Sequence, residues 1–231
     1  MDGKAMGFLQ KEAGNAVTDC FASGLTADNL ISCAVTQLQF YQAMQQSLFE
    51  AQPPSGALAC AAGCDACCHR KVACTIPEAF GIAAWLSEKP EAEQQRVRAA
   101  CRSLHEETGG LDDLARIRTG RACPMLVEGD CSAYEIRPIS CRALYSYSRP
   151  ACEAVYRELR FDGTIPHYDL MLDAQGQMLL GYGRALEKLG LDGGLVELAS
   201  ALTIIFDEPD VAARYLAGER PFEAAKLGRA K

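Results

Sequence analysis

Four cysteines fall within nine residues, in Cys60-Ala-Ala-Gly-Cys64-Asp-Ala-Cys67-Cys68, and three more follow at Cys123, Cys131 and Cys141. Thiolates are soft ligands that suit zinc, copper(I) and iron–sulfur clusters. Four of them complete a tetrahedral zinc site or a [4Fe–4S] cluster. Neither cysteine group closes such a site alone, so the two are expected to converge. On a helix Cys60, Cys64 and Cys67 would share one face; around a tight loop they could equally surround one metal. The side chains of adjacent Cys67 and Cys68 diverge, so one of the pair serves another metal atom or only lines the site. Seven thiols exceed one four-ligand site by three. Two sites would need a bridging thiolate or an eighth ligand, for which His69 and Cys74 are nearest.

The neighbours of these cysteines carry charge. Arg137 and Arg142 flank Cys141, with Tyr134 just before them, and His69 follows Cys68. Four thiolates around Zn²⁺ or an oxidised [4Fe–4S] cluster carry a net charge of about −2, which guanidinium groups would stabilise and hydrogen-bond. His69, Tyr134, Arg137 and Arg142 are therefore the expected surroundings of the ligands. Between the metals, the pattern favours an iron–sulfur cluster over zinc. Structural zinc sites commonly use paired Cys-x2-Cys knuckles, and the second group has none. The other cysteines, Cys20, Cys33, Cys74, Cys101 and Cys152, stand outside these groups and read as small core residues.

The whole chain sets limits. It has 231 residues, 49% of them apolar, and a formal net charge of −7. An acidic chain without a basic patch does not read as a nucleic-acid binder. The longest apolar stretch, 198–206, is too short for a membrane span, and the N-terminus carries no apolar run of the secretory type. These features predict a soluble cytoplasmic protein with no membrane partner. Reduced cytosolic thiols then favour metal binding over disulfides for the twelve cysteines.

Helical periodicity supplies the scaffold. Apolar residues recur at helical spacing over 1–24, 27–51, 75–87, 90–108, 111–119, 151–160, 167–189, 194–206 and 208–217. Thr26 and Thr75 are expected N-caps, with Pro77 in a first turn. Strand alternation is scarce, and 177–180 is the nearest candidate. The expected fold is mainly α: one helical domain over 1–231 with irregular cysteine-rich metal-binding loops. It comprises N-terminal helices to residue 55, a cysteine core over 58–145, and C-terminal helices over 150–231.

The cysteine pattern, with Cys123-Pro124, Tyr134, Arg137-Pro138 and Cys141-Arg142, resembles the YkgJ-like bacterial cysteine-cluster family. This is the CxxCxxCC zinc- or iron-chelating domain, whose relatives include flagellin lysine N-methylases. The likeness covers about residues 58–145, with a first gap here of three residues rather than two. It implies metal binding through these cysteines. Through the methylases it also implies S-adenosylmethionine and a client protein, although no pocket motif for that cofactor occurs. The Cys60-x3-Cys64-x2-Cys67 spacing is also similar to that of radical S-adenosylmethionine enzymes, but their partial barrels need strands that this sequence lacks. Phosphate-loop and zinc-protease motifs are absent, and Gly181-Tyr182-Gly183 stops short of a dinucleotide fingerprint. Three classes therefore stand: a metal-handling, sensing or electron-transfer protein; a methyltransferase-like enzyme; and a structural zinc domain that binds a partner.

Overall fold

The fold is known from a computed structural model that describes residues 3–61 and 63–227. Ten α-helices dominate these residues: α1 (Gly3–Cys20), α2 (Ala27–Ala51), α3 (Ile76–Ser87), α4 (Glu91–Thr108), α5 (Asp113–Arg118), α6 (Ile139–Arg142), α7 (Arg149–Tyr156), α8 (Asp169–Lys188), α9 (Leu198–Asp207) and α10 (Val211–Leu216). Four two-residue strands form two antiparallel pairs: β1 (Ala73–Cys74) with β4 (Val196–Glu197), and β2 (Leu126–Val127) with β3 (Asp130–Cys131). The fold is mainly α, as the periodicity predicts.

The capping signals act where the sequence places them. Thr26 accepts a hydrogen bond from Asn29 N–H at 3.2 Å. Thr75 and Glu78 form a full capping box at the head of α3, which satisfies two backbone donors that helix geometry leaves open. α1 packs on α8 and α2, α2 on α3, and α9 on both α3 and α4. One buried cluster runs through these contacts, from Leu9 and Val17 through Ile82 and Leu86 to Leu202 and Tyr215.

Several expectations are corrected. Gln177–Leu180 is helical, inside α8. The segment before α9 is not helical; Val196 and Glu197 extend and pair with β1. Phe8 of α1 is 66% exposed. Gly14 lies at the crossing of α1 with α8. A Cβ on Gly181 would stand 2.2 Å from the Gln10 carbonyl oxygen, so the helices approach backbone to backbone because no side chain intervenes.

The buried carboxylate of Glu78 ties this scaffold to the second cysteine segment. Its Oε2 accepts from Thr75 N–H at 2.8 Å and its Oε1 from Ile139 N–H at 2.7 Å. Burial raises its pKa, and these hydrogen bonds act in the opposite sense. Glu78→Gln would turn an amide NH2 toward one of these backbone donors. Leaving a buried donor unpaired costs about 1–3 kcal/mol, so chemical denaturation of this variant should show a loss of that size with an unchanged m value. An unchanged midpoint would contradict the assigned role.

Candidate metal centre

The two cysteine groups are joined by short backbone links. Cys123 N–H donates to the Cys68 carbonyl at 2.8 Å. Gly63 N–H donates to Asp130 Oδ1 at 3.1 Å. Ala59 N–H donates to the Ser146 carbonyl at 2.8 Å, and Ser146 N–H reaches Cys60 Sγ at 3.2 Å. An ion pair between Arg157 and Asp65 holds the first segment against α7. This first segment is loop, with one 3-10 turn over Ala66–His69, so the tight-loop alternative describes it and the single-helix-face alternative does not.

The second segment is built from small closed units. Glu128 and Gly129 both have positive φ, 50° and 89°, which matches the twist a two-residue hairpin needs between β2 and β3. A 3-10 turn over Tyr134–Ile136 and the short α6 follow. Arg142 straps them together: its Nε donates to the Arg137 carbonyl at 2.9 Å, and its Nη2 reaches the carbonyls of Tyr134, at 3.2 Å, and Glu135.

All seven clustered cysteines line one cavity of about 370 Å³. Tyr134, Arg137, Arg142, Asp130 and Tyr145 share its wall. His69 does not; its Nδ1 lies 3.1 Å from the Gly120 carbonyl oxygen instead. Cys74, the other candidate for an eighth ligand, is buried beneath the wall with its thiol toward the Val196 carbonyl, 3.7 Å away. Cys101 and Cys152 are buried outside the cavity. Among the described residues, no three His, Cys, Asp or Glu side chains converge on a point that could hold a metal ion. The thiols stand around a space.

Their protonation follows position. The hydrogen bond from Cys68 lowers Cys67 to about 6, and the charges of Arg70 and Arg137 act in the same direction. Cys68, which donates that bond, is held protonated. Burial pushes Cys123 up to about 12 and Cys141 up to about 11. Cys67 feels most of the others: its charge bears on Cys60, Cys68, Cys131 and Cys141.

Arg137 and Arg142 line the cavity, the charge of Arg70 bears on Cys67 and Cys141, and Cys123 bears on Arg116. None of these four forms an ion pair among the described residues, as is also true of Arg96, Arg98, Arg118, Arg184 and Arg220. Arg70 donates to the carbonyls of Lys71 at 3.1 Å and Ser140 at 3.2 Å. Arg116 is 1% exposed, and its Nη1 reaches the carbonyls of Arg121 at 2.7 Å and His69 at 3.2 Å. Arg137 lies over the Tyr134 ring at 4.1 Å, and its Nε is buried without a partner. The sequence reading named Arg137 and Arg142 but missed Arg70, Arg116 and Asp130, whose contacts are long-range.

A second constellation has the residue types of a hydrolase. His105 Nδ1 lies 2.9 Å from Ser200 Oγ, which donates to Glu197 Oε2 at 3.0 Å. The order is wrong for catalysis, because the carboxylate must orient the histidine. Here it caps α9, accepting also from Ser200 N–H at 2.8 Å, and Ser200 is 2% exposed.

The reach of Arg116 to two carbonyls can be tested. Lysine ends in a flexible point charge rather than the rigid plane that sets Nη1 between the two carbonyls. Arg116→Lys should lower stability by about 2 kcal/mol in thermal or urea melts of metal-free protein; a neutral result would show that the guanidinium does not hold the two loops.

Comparison with known family profiles, with curated proteins and with solved structures finds no match to this chain.

Proposed function

We propose that this protein binds a metal group through its two cysteine segments, as an iron–sulfur cluster protein for metal handling, sensing or electron transfer. One observation carries this reading: seven thiols line a single cavity, whose wall also carries Arg137 and Arg142, and neither of these forms an ion pair with a carboxylate among the described residues. Buried or half-buried cations need a counter-charge. Among the cavity thiols only Cys67 is lowered enough to supply part of it, whereas metal-bound thiolates supply about −2 for four ligands.

The same arrangement favours a cluster over one zinc ion. Four sulfurs bound to one zinc at about 2.3 Å lie within about 4 Å of one another. The cavity of about 370 Å³ exceeds what a single ion fills. A cluster spreads its ligands over several irons. The ligands come from Cys60, Cys64, Cys67, Cys68, Cys123, Cys131 and Cys141, with Cys67 central because its charge reaches both groups. The free donors of Arg137 are placed to hydrogen-bond sulfur at the cavity wall, and Arg142 holds the turn that presents Arg137 and Tyr134. When bound, such a group supplies one-electron chemistry or a labile metal store.

The test is anaerobic purification after expression with ample iron. The protein should be brown, contain iron and acid-labile sulfide, and bleach on reduction. Cys67→Ser should remove most of the iron, while Cys101→Ser, outside the cavity, should keep it. Colourless protein with stoichiometric zinc and no sulfide would overturn the cluster reading in favour of a zinc domain.

A further inference from the structure

Of the two guanidinium groups that line the cavity, only Arg137 keeps every donor free. Arg142 directs its donors at the carbonyls of Arg137, Tyr134 and Glu135. Arg137 has no acceptor among the described residues, and its Nε is buried without a partner. The Cys67 thiol lies within its field but takes no hydrogen bond from it. Glu78 shares a small neighbouring pocket with Arg137, yet both its oxygens are taken by backbone N–H groups. A buried donor left unpaired costs free energy, and this one is held firmly in place. Its backbone, at φ −54° and ψ 146°, has the extended conformation that the following Pro138 favours. Arg142 Nε bonds its carbonyl at 2.9 Å, and its plane lies over the Tyr134 ring at 4.1 Å. Tyr134 is exposed, so the guanidinium stands where the cavity meets solvent.

We propose that the cavity takes a small organic monocarboxylate, with its carboxylate on Arg137 and its hydrocarbon body against the apolar wall. The volume of about 370 Å³ falls in the range of small-molecule sites, roughly 300–1,000 Å³. Val72, Ile82, Met125 and Leu198 give the chamber its apolar surface. Such sites combine an apolar lining with a few placed polar groups that fix orientation, and a side chain already fixed loses little freedom on binding.

The chemistry of the ligand follows from the donor. The planar guanidinium fork matches a carboxylate through two parallel hydrogen bonds. One free cation suits one negative charge; a doubly charged phosphate calls for a second, and the donors of Arg142 face backbone carbonyls. The site rests on the cavity and on Arg137, not on the metal reading. A guanidinium has five N–H donors, so one edge can face sulfur while the other holds the ligand.

The test titrates butyrate into full-length protein kept reduced and oxygen-free, followed by calorimetry and by the Arg137 Nε–H resonance. Metal content is measured on the same sample, so that the metal reading and this one succeed or fail separately. Butyrate should bind and shift the resonance. Neutral butyramide should do neither, and inorganic phosphate should bind more weakly than butyrate. Arg137→Lys should weaken butyrate about tenfold, because a point charge replaces the fork, and Arg137→Gln should abolish binding. Arg184→Gln removes an exposed guanidinium of α8 and should leave binding unchanged. The proposal fails if butyrate binding survives Arg137→Gln, if butyramide binds as well as butyrate, if phosphate binds more tightly, or if the resonance does not move. The resonance of the unaltered protein, with butyrate against butyramide, decides the matter if the Arg137 variants do not fold.

Discussion

The carboxylate of Glu78 fixes where the two cysteine segments stand. It is buried at the head of α3, and each oxygen takes a different backbone donor, Thr75 N–H and Ile139 N–H. Thr75 Oγ1 accepts from Glu78 N–H at 3.2 Å and donates to Gln37 Oε1 on α2 at 2.7 Å. One side chain therefore joins a long scaffold helix, the helix after the first cysteine segment, and the turn that carries Cys141. Burying a carboxylate is costly unless its oxygens are satisfied. Here they are satisfied by backbone groups that would otherwise be stranded, so the cost and the positioning have the same cause.

The arginines around the cavity act in two capacities that are hard to separate. Arg70, Arg116 and Arg142 direct their donors at loop carbonyls and so hold irregular backbone that no ladder supports. In doing so they also bring positive charge beside the thiols, and the charges of Arg70 and Arg137 favour ionisation of Cys67 and Cys141. Arg137 differs: no protein acceptor takes its donors among the described residues, and its plane rests on Tyr134. The Cys67 thiolate balances a field built this way only in part. On the proposed metal reading, ligand binding that releases the remaining thiol protons would balance it and would couple metal affinity to pH.

The scaffold was legible because helices announce themselves by periodicity and by caps. Thr26, and Thr75 with Glu78, act at the residues that local pattern identifies. What stayed hidden depends on contacts distant in sequence. The pairing of Ala73–Cys74 with Val196–Glu197 joins segments more than a hundred residues apart, and two residues show no alternation. Gln37 of α2 is fully buried and serves Thr75 and Cys33, partners that no local pattern signals. The seven cavity cysteines were legible as a set from their spacing alone. Arg116 stayed hidden because its role is set by carbonyls at His69 and Arg121.

The two halves of the cavity are held to different degrees, and this bears on how a metal group could be assembled there. The half formed by Cys123, Cys131 and Cys141 sits on a closed hairpin and on α6, which Glu78, Arg142 and Ser140 brace; Ser140 Oγ donates to the Ala73 carbonyl. Cys67 and Cys68 belong with it, since Cys68 bonds backbone to backbone with Cys123. Cys60 and Cys64 lie before that anchor, on a stretch turned by Gly63 at φ 75° and fastened to Asp130, Leu144, Ser146 and Arg157 without helix or strand of its own. Few contacts mean a low local free energy of opening. Ligands on a braced wall hold their geometry without a metal, and ligands on a loosely fastened flap adjust after one arrives. The exposed position of Cys60 puts that stretch at the solvent side of the cavity.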